Sequence, residues 1–204
     1  MINEEKYELV KLLDIVQEAG EERTKEILSR FSCPKNPDIE DYLHDEEKAI
    51  RLAKEKVSPT HLVFTEYEGK KVLIGFFTIT QKTITISSES KNFIKKLKRF
   101  GHCDEAQTTC SIPSTLIAQF GKNFSNNYNE LIKGNELLKL ALDKVQEAQS
   151  ISGGGTVYIE CENKQKLVDF YQENGFREFG RRHTDSEEEK LMDEKELIQM
   201  IKIF

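Results

Sequence analysis

Apolar residues recur along this chain with two different periods, and the change of period divides the chain into elements. Near the front, apolar residues at helical spacing predict a helix over Glu4–Ala19, which Gly20 ends. The short segment Thr24–Phe31 is predicted as a strand. A second helix is predicted to begin at Asp38 and to run through residue 56, since Pro59 cannot continue it.

The middle of the chain is rich in β-branched and aromatic residues. His61–Tyr67 and Val72–Thr80, joined by a short turn containing Gly69, predict an antiparallel hairpin, and Thr83–Ser87 extends it. Ser90–Phe100 then predicts an amphipathic helix with a lysine-rich polar side. We interpret that side as a solvated face, with a dock for an acidic substrate or for the 3′-phosphate of a cofactor as the alternative.

The second half of the chain alternates strands and helices. The pattern predicts a strand at Thr115–Lys122, a helix at Asn135–Gln149, a strand at Val157–Cys161, a helix at Lys164–Asn174, and closing segments at Phe176–Arg182 and Glu196–Phe204. A β-α-β-α order brings its two strands side by side with helices on the sheet. The chain has consecutive strands in its middle and alternating strands and helices in its second half. This order predicts an α/β (α+β) sandwich with a mixed, mostly antiparallel sheet flanked by helices.

Composition narrows the class of protein. The chain has 204 residues, 37% of them hydrophobic, and a net charge of -6, so a nucleic-acid partner is not expected. No apolar run reaches the ~20 residues of a membrane helix, and the acidic N-terminus is unlike a signal peptide, so we expect a cytoplasmic protein without a membrane partner. The cysteines are scattered and predicted to be reduced, and no metal site is expected: they are Cys33, Cys103, Cys110 and Cys161.

Two adjacent segments resemble the cofactor half of GNAT superfamily N-acetyltransferases. Leu116-Ile-Ala-Gln-Phe-Gly-Lys-Asn123 resembles the family's splayed fourth strand, which hydrogen-bonds the pantetheine arm. Asn129-Glu-Leu-Ile-Lys-Gly134 occupies the pyrophosphate loop, with Asn129 where the family has Gln or Arg and Ile132 where it has glycine. Backbone N–H groups at a helix N-terminus bind phosphate well, and Gly134 permits close approach. The resemblance implies acetyl-CoA as cosubstrate, bound by Gln119, Phe120, Gly121, Lys122, Asn129, Lys133, Gly134 and Asn135.

The catalytic candidates follow from the same resemblance. Tyr171-x-x-x-Gly175-Phe176 matches the family's ending, in which the tyrosine protonates the leaving thiolate and lies against the cofactor. Asn163 stands one position before the family's asparagine and is a further cofactor contact. Glu160 is a candidate base for the amine. The alternatives are a core tyrosine whose hydroxyl bonds to the backbone and a solvent-facing strand glutamate.

The front of the chain carries a narrower resemblance. Arg30–Leu43, followed by a charged helix and His61–Phe64, looks like the bacterial acetyltransferases that include toxins of toxin–antitoxin pairs. We therefore divide the chain into a helical extension, residues 1–20, and a GNAT domain, residues 21–204.

The resemblance implies direct acetyl transfer from acetyl-CoA to a primary amine of a small molecule or peptide, and a homodimer is left open. The alternatives are a toxin acting on aminoacyl-tRNA, which would need a strongly positive surface, and a non-catalytic acyl-CoA-binding module.

Overall fold

The computed structural model describes residues 6–186, 188–191 and 195–204. They form two compact units, one spanning Met1–Thr80 and Ala118–Leu142, the other Gln81–Ile117 and Asp143–Phe204. Two strands and one helix have residues in both units. Within the described ranges no helix is long and apolar enough to cross a membrane.

The first unit packs helices against an antiparallel sheet. Its elements in chain order are β1 Glu8–Lys11, α1 Leu12–Ala19, α2 Glu21–Leu28, α3 Pro37–His44, α4 Ala49–Lys54, β2 Thr60–Tyr67 and the first part of β3 Lys70–Ser87. Strand β2 pairs antiparallel with both β1 and β3, and a bulge interrupts its register with β3 between Val63 and Phe64. The predicted hairpin is therefore present.

Three helix and strand predictions in this unit need correction. The helix predicted over Glu4–Ala19 is confirmed over Leu12–Ala19, ending at Gly20, but Glu8–Lys11 is a strand because those residues pair with β2, and residues 4 and 5 lie outside the described residues. The strand predicted at Thr24–Phe31 is largely α2, whose first turn is tied by the N–H and hydroxyl of Thr24 donating to Gly20. The long helix predicted from Asp38 is two short helices, α3 and α4. The proposed division of the chain at residue 20 stays a prediction.

Helix α3 begins one residue earlier than predicted because Asn36 is its N-cap. The Asn36 side-chain oxygen accepts hydrogen bonds from the backbone N–H groups of Asp38, at 3.1 Å, and Ile39, at 3.4 Å. Pro37 occupies the first turn, where its missing N–H costs nothing. The Asn-Pro pair is a helix-start signal that the sequence carried.

The core of the first unit is aromatic at its centre. Phe31 meets Phe76 edge-to-face at 5.1 Å between ring centroids, and Tyr42 stacks on Phe76 at 6.1 Å. Leu12, Leu28 and other aliphatic side chains of the helices surround these rings. Burial of such side chains is the main favourable term in folding, at about 1.5–3 kcal/mol each.

The second unit contains most of the alternating half of the chain. Its elements are the end of β3, α5 Lys91–Leu97, β4 His102–Cys103, the start of β5 Thr109–Lys122, the end of α6 Gly134–Ser152, β6 Thr156–Glu162, α7 Gln165–Glu173, β7 Arg177–His183, α8 Glu188–Leu191 and β8 Glu196–Ile203. Its sheet order is β3-β5-β6-β8-β7. Strands β5 and β6 are parallel, and β8 is antiparallel to both of its neighbours.

This arrangement confirms the predicted fold class: a mixed, mostly antiparallel sheet flanked by helices. The parallel register of β5 with β6 covers two residue pairs, Thr115 with Val157 and Leu116 with Tyr158. The part of β5 from Gln119 to Lys122, where the cofactor contacts were predicted, follows that short register.

The prediction of four reduced cysteines is wrong. Cys103 and Cys110 form a disulfide, because the antiparallel register of β4 with β5 places them directly opposite each other. Cys33 and Cys161 are free and buried. The pairing could not be read from the sequence, since it depends on the register of a two-residue strand.

Helix α5 is amphipathic, as predicted. Phe93, Ile94 and Leu97 are buried and join the core of the second unit, which also contains Ile112 and Tyr158. The lysines of the helix lie on its exposed side.

Candidate active site

The loop between β5 and α6 is held in shape by the side chain of Lys122. Its Nζ donates hydrogen bonds to the carbonyl oxygens of Asn129, at 2.7 Å, and Ile132, at 3.1 Å. Partial burial, and secondarily the charge of Lys35, lowers the pKa of Lys122 from its usual value. Asn126 lies in the 3₁₀ turn Ser125–Glu130, which follows Lys122, and has a positive φ of 50°. Lys122 therefore holds the loop in shape, and its predicted contact with the cofactor stays a prediction.

The N-terminus of α6 follows this loop and is capped by a side chain of its own first turn. The backbone N–H of Lys133 donates to the Glu136 side chain at 2.8 Å, and the Lys133 carbonyl accepts from the N–H groups of Glu136 and Leu137. That backbone hydrogen bond is the main reason why the pKa of Glu136 is lowered. The predicted pyrophosphate donor at Lys133 is thus already engaged. Gly134 and Asn135 are the first two helical residues, where N–H groups lack intrahelical acceptors.

The end of β5 packs tightly against its neighbours. The Gln119 backbone N–H donates to the Thr78 hydroxyl at 2.9 Å, and its side chain donates to Asp38 at 3.1 Å. A Cβ at Gly121 would lie 2.6 Å from the Ile39 side chain, so glycine is needed there. The Gln119 N–H is therefore used within the protein, whereas Phe120 is half-buried beside it.

Asn123 is a site residue that the sequence analysis missed. It is 1% exposed, and its side-chain amide donates to the carbonyls of Leu73, at 2.8 Å, and Arg30, at 3.3 Å. Its side-chain oxygen accepts from the N–H groups of Ser32 and Ser125, both at 3.0 Å. A buried asparagine with four partners fixes the chain at the start of the cofactor loop. The sequence signal for this role is the position of a polar residue directly after a buried strand.

Tyr171 lies on α7 in the second unit. Its ring is packed edge-to-face against Phe170, at 5.0 Å, and Phe176, at 5.6 Å, and the residue is 7% exposed. Burial, followed by the nearby Cys161, raises the pKa of its phenol well above the usual value. No described residue hydrogen-bonds to its hydroxyl. The alternative of a core tyrosine with a backbone-bonded hydroxyl is therefore only half met: the ring is core, and the hydroxyl has no backbone partner in the described chain.

Glu160 lies on β6 and is held by two neighbours. One carboxylate oxygen accepts from Arg182 Nε at 2.5 Å and the other from Gln199 Nε2 at 2.8 Å. Its side chain is only 15% exposed, so it is not the solvent-facing glutamate of the alternative either. Both oxygens are engaged, which favours a structural role over proton abstraction.

Asn163 is exposed and lies one residue before Lys164, the N-cap of α7. Helix α7 has no side-chain cap at its N-terminus. The Asn163 amide is thus on the surface of the second unit, and its predicted cofactor contact stays a prediction.

The predicted site residues fall into two groups. The first unit holds Gln119, Phe120, Gly121, Lys122, Asn129, Lys133, Gly134 and Asn135 along the end of β5, the loop and the start of α6. The second unit holds Glu160, Asn163 and Tyr171 on β6, α7 and their connection. Within the described chain, no three histidine, cysteine or acidic residues are grouped so as to hold a metal ion.

Neither the protein-family models nor the curated proteins contain a match to this sequence. Solved structures do match. AtaT complexed with acetyl-methionyl-tRNA has a TM-score of 0.61 and 16% identity, covering 94% of this chain and 93% of that one. A tyrosine variant of KacT has a TM-score of 0.61 and 13% identity, covering 95% and 94%. A tyrosine-to-phenylalanine variant of the toxin AtaT, bound to the C-terminus of the antitoxin AtaR and acetyl-CoA, has a TM-score of 0.55 and 15% identity, covering 95% and 92%.

The chain therefore shares its fold with AtaT and KacT, in agreement with the resemblance drawn from the sequence. At these identities the likeness establishes the fold alone. One prediction is overturned: we expected a small-molecule or peptide acceptor and no nucleic acid, whereas AtaT of the same fold was solved with an acetylated aminoacyl-tRNA. That prediction was based on the net charge, which sums over the whole surface and does not show where positive charge is concentrated.

Proposed function

We propose that this protein transfers the acetyl group of acetyl-CoA to the primary α-amine of an aminoacyl-tRNA. The observation that carries the proposal is the match in fold, over 94% of the chain, to AtaT solved with acetyl-methionyl-tRNA. Acetyl-CoA as donor is supported by the AtaT structure that contains it. The hydroxyl of Tyr171, without a hydrogen-bond partner in the described chain, supplies a group suited to this chemistry.

The proposed reaction needs no covalent enzyme intermediate. The neutral amine attacks the thioester carbonyl, a C–N bond forms, and the C–S bond breaks. The leaving thiolate takes the Tyr171 phenol proton, and the proton lost from the amine nitrogen returns to Tyr171 through water. A tyrosine phenol, with an ordinary pKa of about 10, is protonated at neutral pH, so the proton is in place at each turnover. Cys33 and Cys161 are buried, which supports direct transfer over an acyl-cysteine.

The N-terminus of α6 is the proposed pyrophosphate site. The N–H groups of Gly134 and Asn135 belong to the first helical turn, where the helix dipole favours an anion. Lys122 and the hydrogen bond from the Lys133 N–H to Glu136 hold the loop before it. Asn129 and Ile132, the positions that depart from the family's loop, contribute carbonyl oxygens to Lys122.

Transfer of label tests the function. Purified protein is incubated with acetyl-labelled acetyl-CoA and total bacterial aminoacyl-tRNA, with deacylated tRNA as control, and the RNA is digested to aminoacyl-adenosines. We expect label on the amine of one or a few aminoacyl-adenosines and none in the deacylated control. Acetyl-CoA binding without transfer would overturn the proposal in favour of a non-catalytic acyl-CoA-binding module.

We also propose that the protein works in the bacterial cytoplasm with an antitoxin as partner. Charged tRNA is consumed in the cytoplasm, and the AtaT structure with the C-terminus of AtaR supports an antitoxin. Co-expression with the product of a small neighbouring gene should relieve growth inhibition if the proposal holds. Equal growth with and without this protein would count against a toxin.

A further inference from the structure

The exposed side of α5 and the turn after it carries a dense set of cations. Lys91, Lys95 and Lys98 recur at intervals of four and three residues and so lie along one face, with Lys96 and Arg99 on the adjoining strip. All five are exposed, while the opposite side is buried. The helix itself, Lys91–Leu97, contains no acidic residue.

The four lysines of this set have no carboxylate partner in the described part of the chain. Lys25, Lys48 and Arg51, by contrast, each lie within 4.0 Å of a glutamate or aspartate. The Arg99 guanidinium donates to the main-chain oxygen of Phe204 at 3.3 Å. Exposed lysines elsewhere, such as Lys82, also lack an ion pair, so what distinguishes the α5 set is its clustering on one side of a helix that contains no acidic residue.

A sixth cation joins this face to the region of Tyr171. The guanidinium of Arg177, on β7, lies over the ring of Phe93, on α5, at 3.8 Å from the ring centre. The residue before it, Phe176, packs its ring against Tyr171. Two consecutive residues thus contact α5 and the proposed general acid, all within the second unit. We call Lys91, Lys95, Lys96, Lys98, Arg99 and Arg177 the α5 cationic face.

We infer that the α5 cationic face binds the phosphodiester backbone of the RNA substrate, an assignment that rests on the proposed function. Five cations along about 12 Å of α5 and the turn after it, at 1.5 Å per residue, with Arg177 of β7 beside them, suit a chain of regularly spaced phosphates. A single phosphate, such as the 3′-phosphate of coenzyme A, would engage one or two of them. The contacts are to the backbone and carry no sequence preference.

Binding of deacylated tRNA tests this inference without relying on catalysis. Filter binding or fluorescence anisotropy measures the tRNA dissociation constant at several salt concentrations between about 50 and 200 mM. The test variant is Lys91→Gln/Lys95→Gln/Lys98→Gln, which keeps good helix formers in α5. The control is Lys11→Gln/Lys56→Gln/Lys82→Gln, which removes the same charge from exposed lysines elsewhere.

We expect the test variant to bind tRNA at least tenfold more weakly, and its slope of log affinity against log salt to fall by about 3 relative to wild type. The control should behave like wild type, and acetyl-CoA binding should be the same in all three proteins. Equal loss in test and control would show a general charge effect, and unchanged tRNA affinity in the test variant would return α5 to a solvated face. Either result overturns the inference. Absent acetyl transfer with intact, α5-dependent tRNA binding would instead count against the proposed function alone.

Discussion

Two buried tyrosines differ in the hydrogen bonding of their hydroxyl groups. Tyr42 and Tyr171 are 6% and 7% exposed, and burial raises the pKa of both phenols. The Tyr42 hydroxyl lies 3.3 Å from the Thr60 hydroxyl and hydrogen-bonds to it. The Tyr171 hydroxyl has no such bond in the described chain. We therefore expect the two hydroxyls to matter for different properties.

Replacing each tyrosine by phenylalanine should give opposite results. Tyr171→Phe keeps the ring and its contacts with Phe170 and Phe176, so the melting temperature should stay near that of wild type. Its kcat should fall on the order of 10²-fold, because the leaving thiolate loses its proton donor. Tyr42→Phe should lose about 1 kcal/mol of stability with its hydrogen bond and keep its kcat.

Thermal unfolding and steady-state acetylation of aminoacyl-tRNA measure the two properties side by side. The loss in Tyr171→Phe should shrink with an acyl donor whose leaving group needs no proton. Full turnover by Tyr171→Phe would return this residue to an ordinary core tyrosine.

Glu160 shows what could not be predicted at this scale. The sequence placed it correctly on the strand before α7, and a carboxylate near the reaction is a reasonable base. Its partners, Arg182 and Gln199, follow 22 and 39 residues later in the chain and reach it only through sheet pairing. The period of apolar residues predicts which face of the sheet a side chain lies on. The residues that contact it there depend on the order of the strands, which the period does not give.

At the scale of elements, long periodic segments were predictable and short ones were not. The hairpin of β2 and β3 and the helix α6 have many residues that agree on one period. Strand β1 has only four residues, and its apolar spacing also fits a helix; pairing with β2 decides the outcome. Helix α2 was missed because eight residues carry too weak a pattern, although Gly20 before it was noted as a boundary.

The cofactor loop shows how one lysine can set the shape of an element. Lys122 donates to two carbonyls of the loop, and these acceptors would be left without that donor in Lys122→Met. Methionine keeps a long apolar stem, so we expect the protein to fold with a modest loss of stability. The dissociation constant for acetyl-CoA should rise on the order of tenfold, equivalent to about 1.4 kcal/mol, since the bound loop must be ordered first.

Isothermal calorimetry with acetyl-CoA measures this effect. Lys70→Met, which removes an exposed lysine from the same unit, is the matched control and should bind as wild type does. A normal affinity in Lys122→Met would mean that the loop is ordered by the buried Asn123 alone. That residue, bonded to four backbone groups, is the other anchor of the segment.

At the scale of the whole molecule, the distribution of charge matters more than its sum. The net charge of -6 led us to expect no nucleic acid, and the comparison with AtaT overturned that expectation. Some cations are neutralised locally, as in the Arg51 pairs with Glu47 and Glu55. The α5 cationic face instead gathers cations around a helix that contains no acidic residue, and from the sequence we interpreted its lysines as a solvated face.

Stability of the whole protein reports on the cofactor site through linkage. A ligand that binds only the folded state, at one hundred times its dissociation constant, stabilises the protein by about 2.7 kcal/mol. For a chain of this size that corresponds to a rise in melting temperature of about 5–10 °C. We expect such a rise with acetyl-CoA at millimolar concentration.

Gly134→Val should melt as wild type does without ligand and show little or no rise in melting temperature with acetyl-CoA, because a branched side chain at the first residue of α6 blocks the approach of phosphate to the backbone. Wild-type protein whose melting temperature does not respond to acetyl-CoA would remove the cofactor assignment, and an equal rise in both proteins would place the phosphate site away from Gly134.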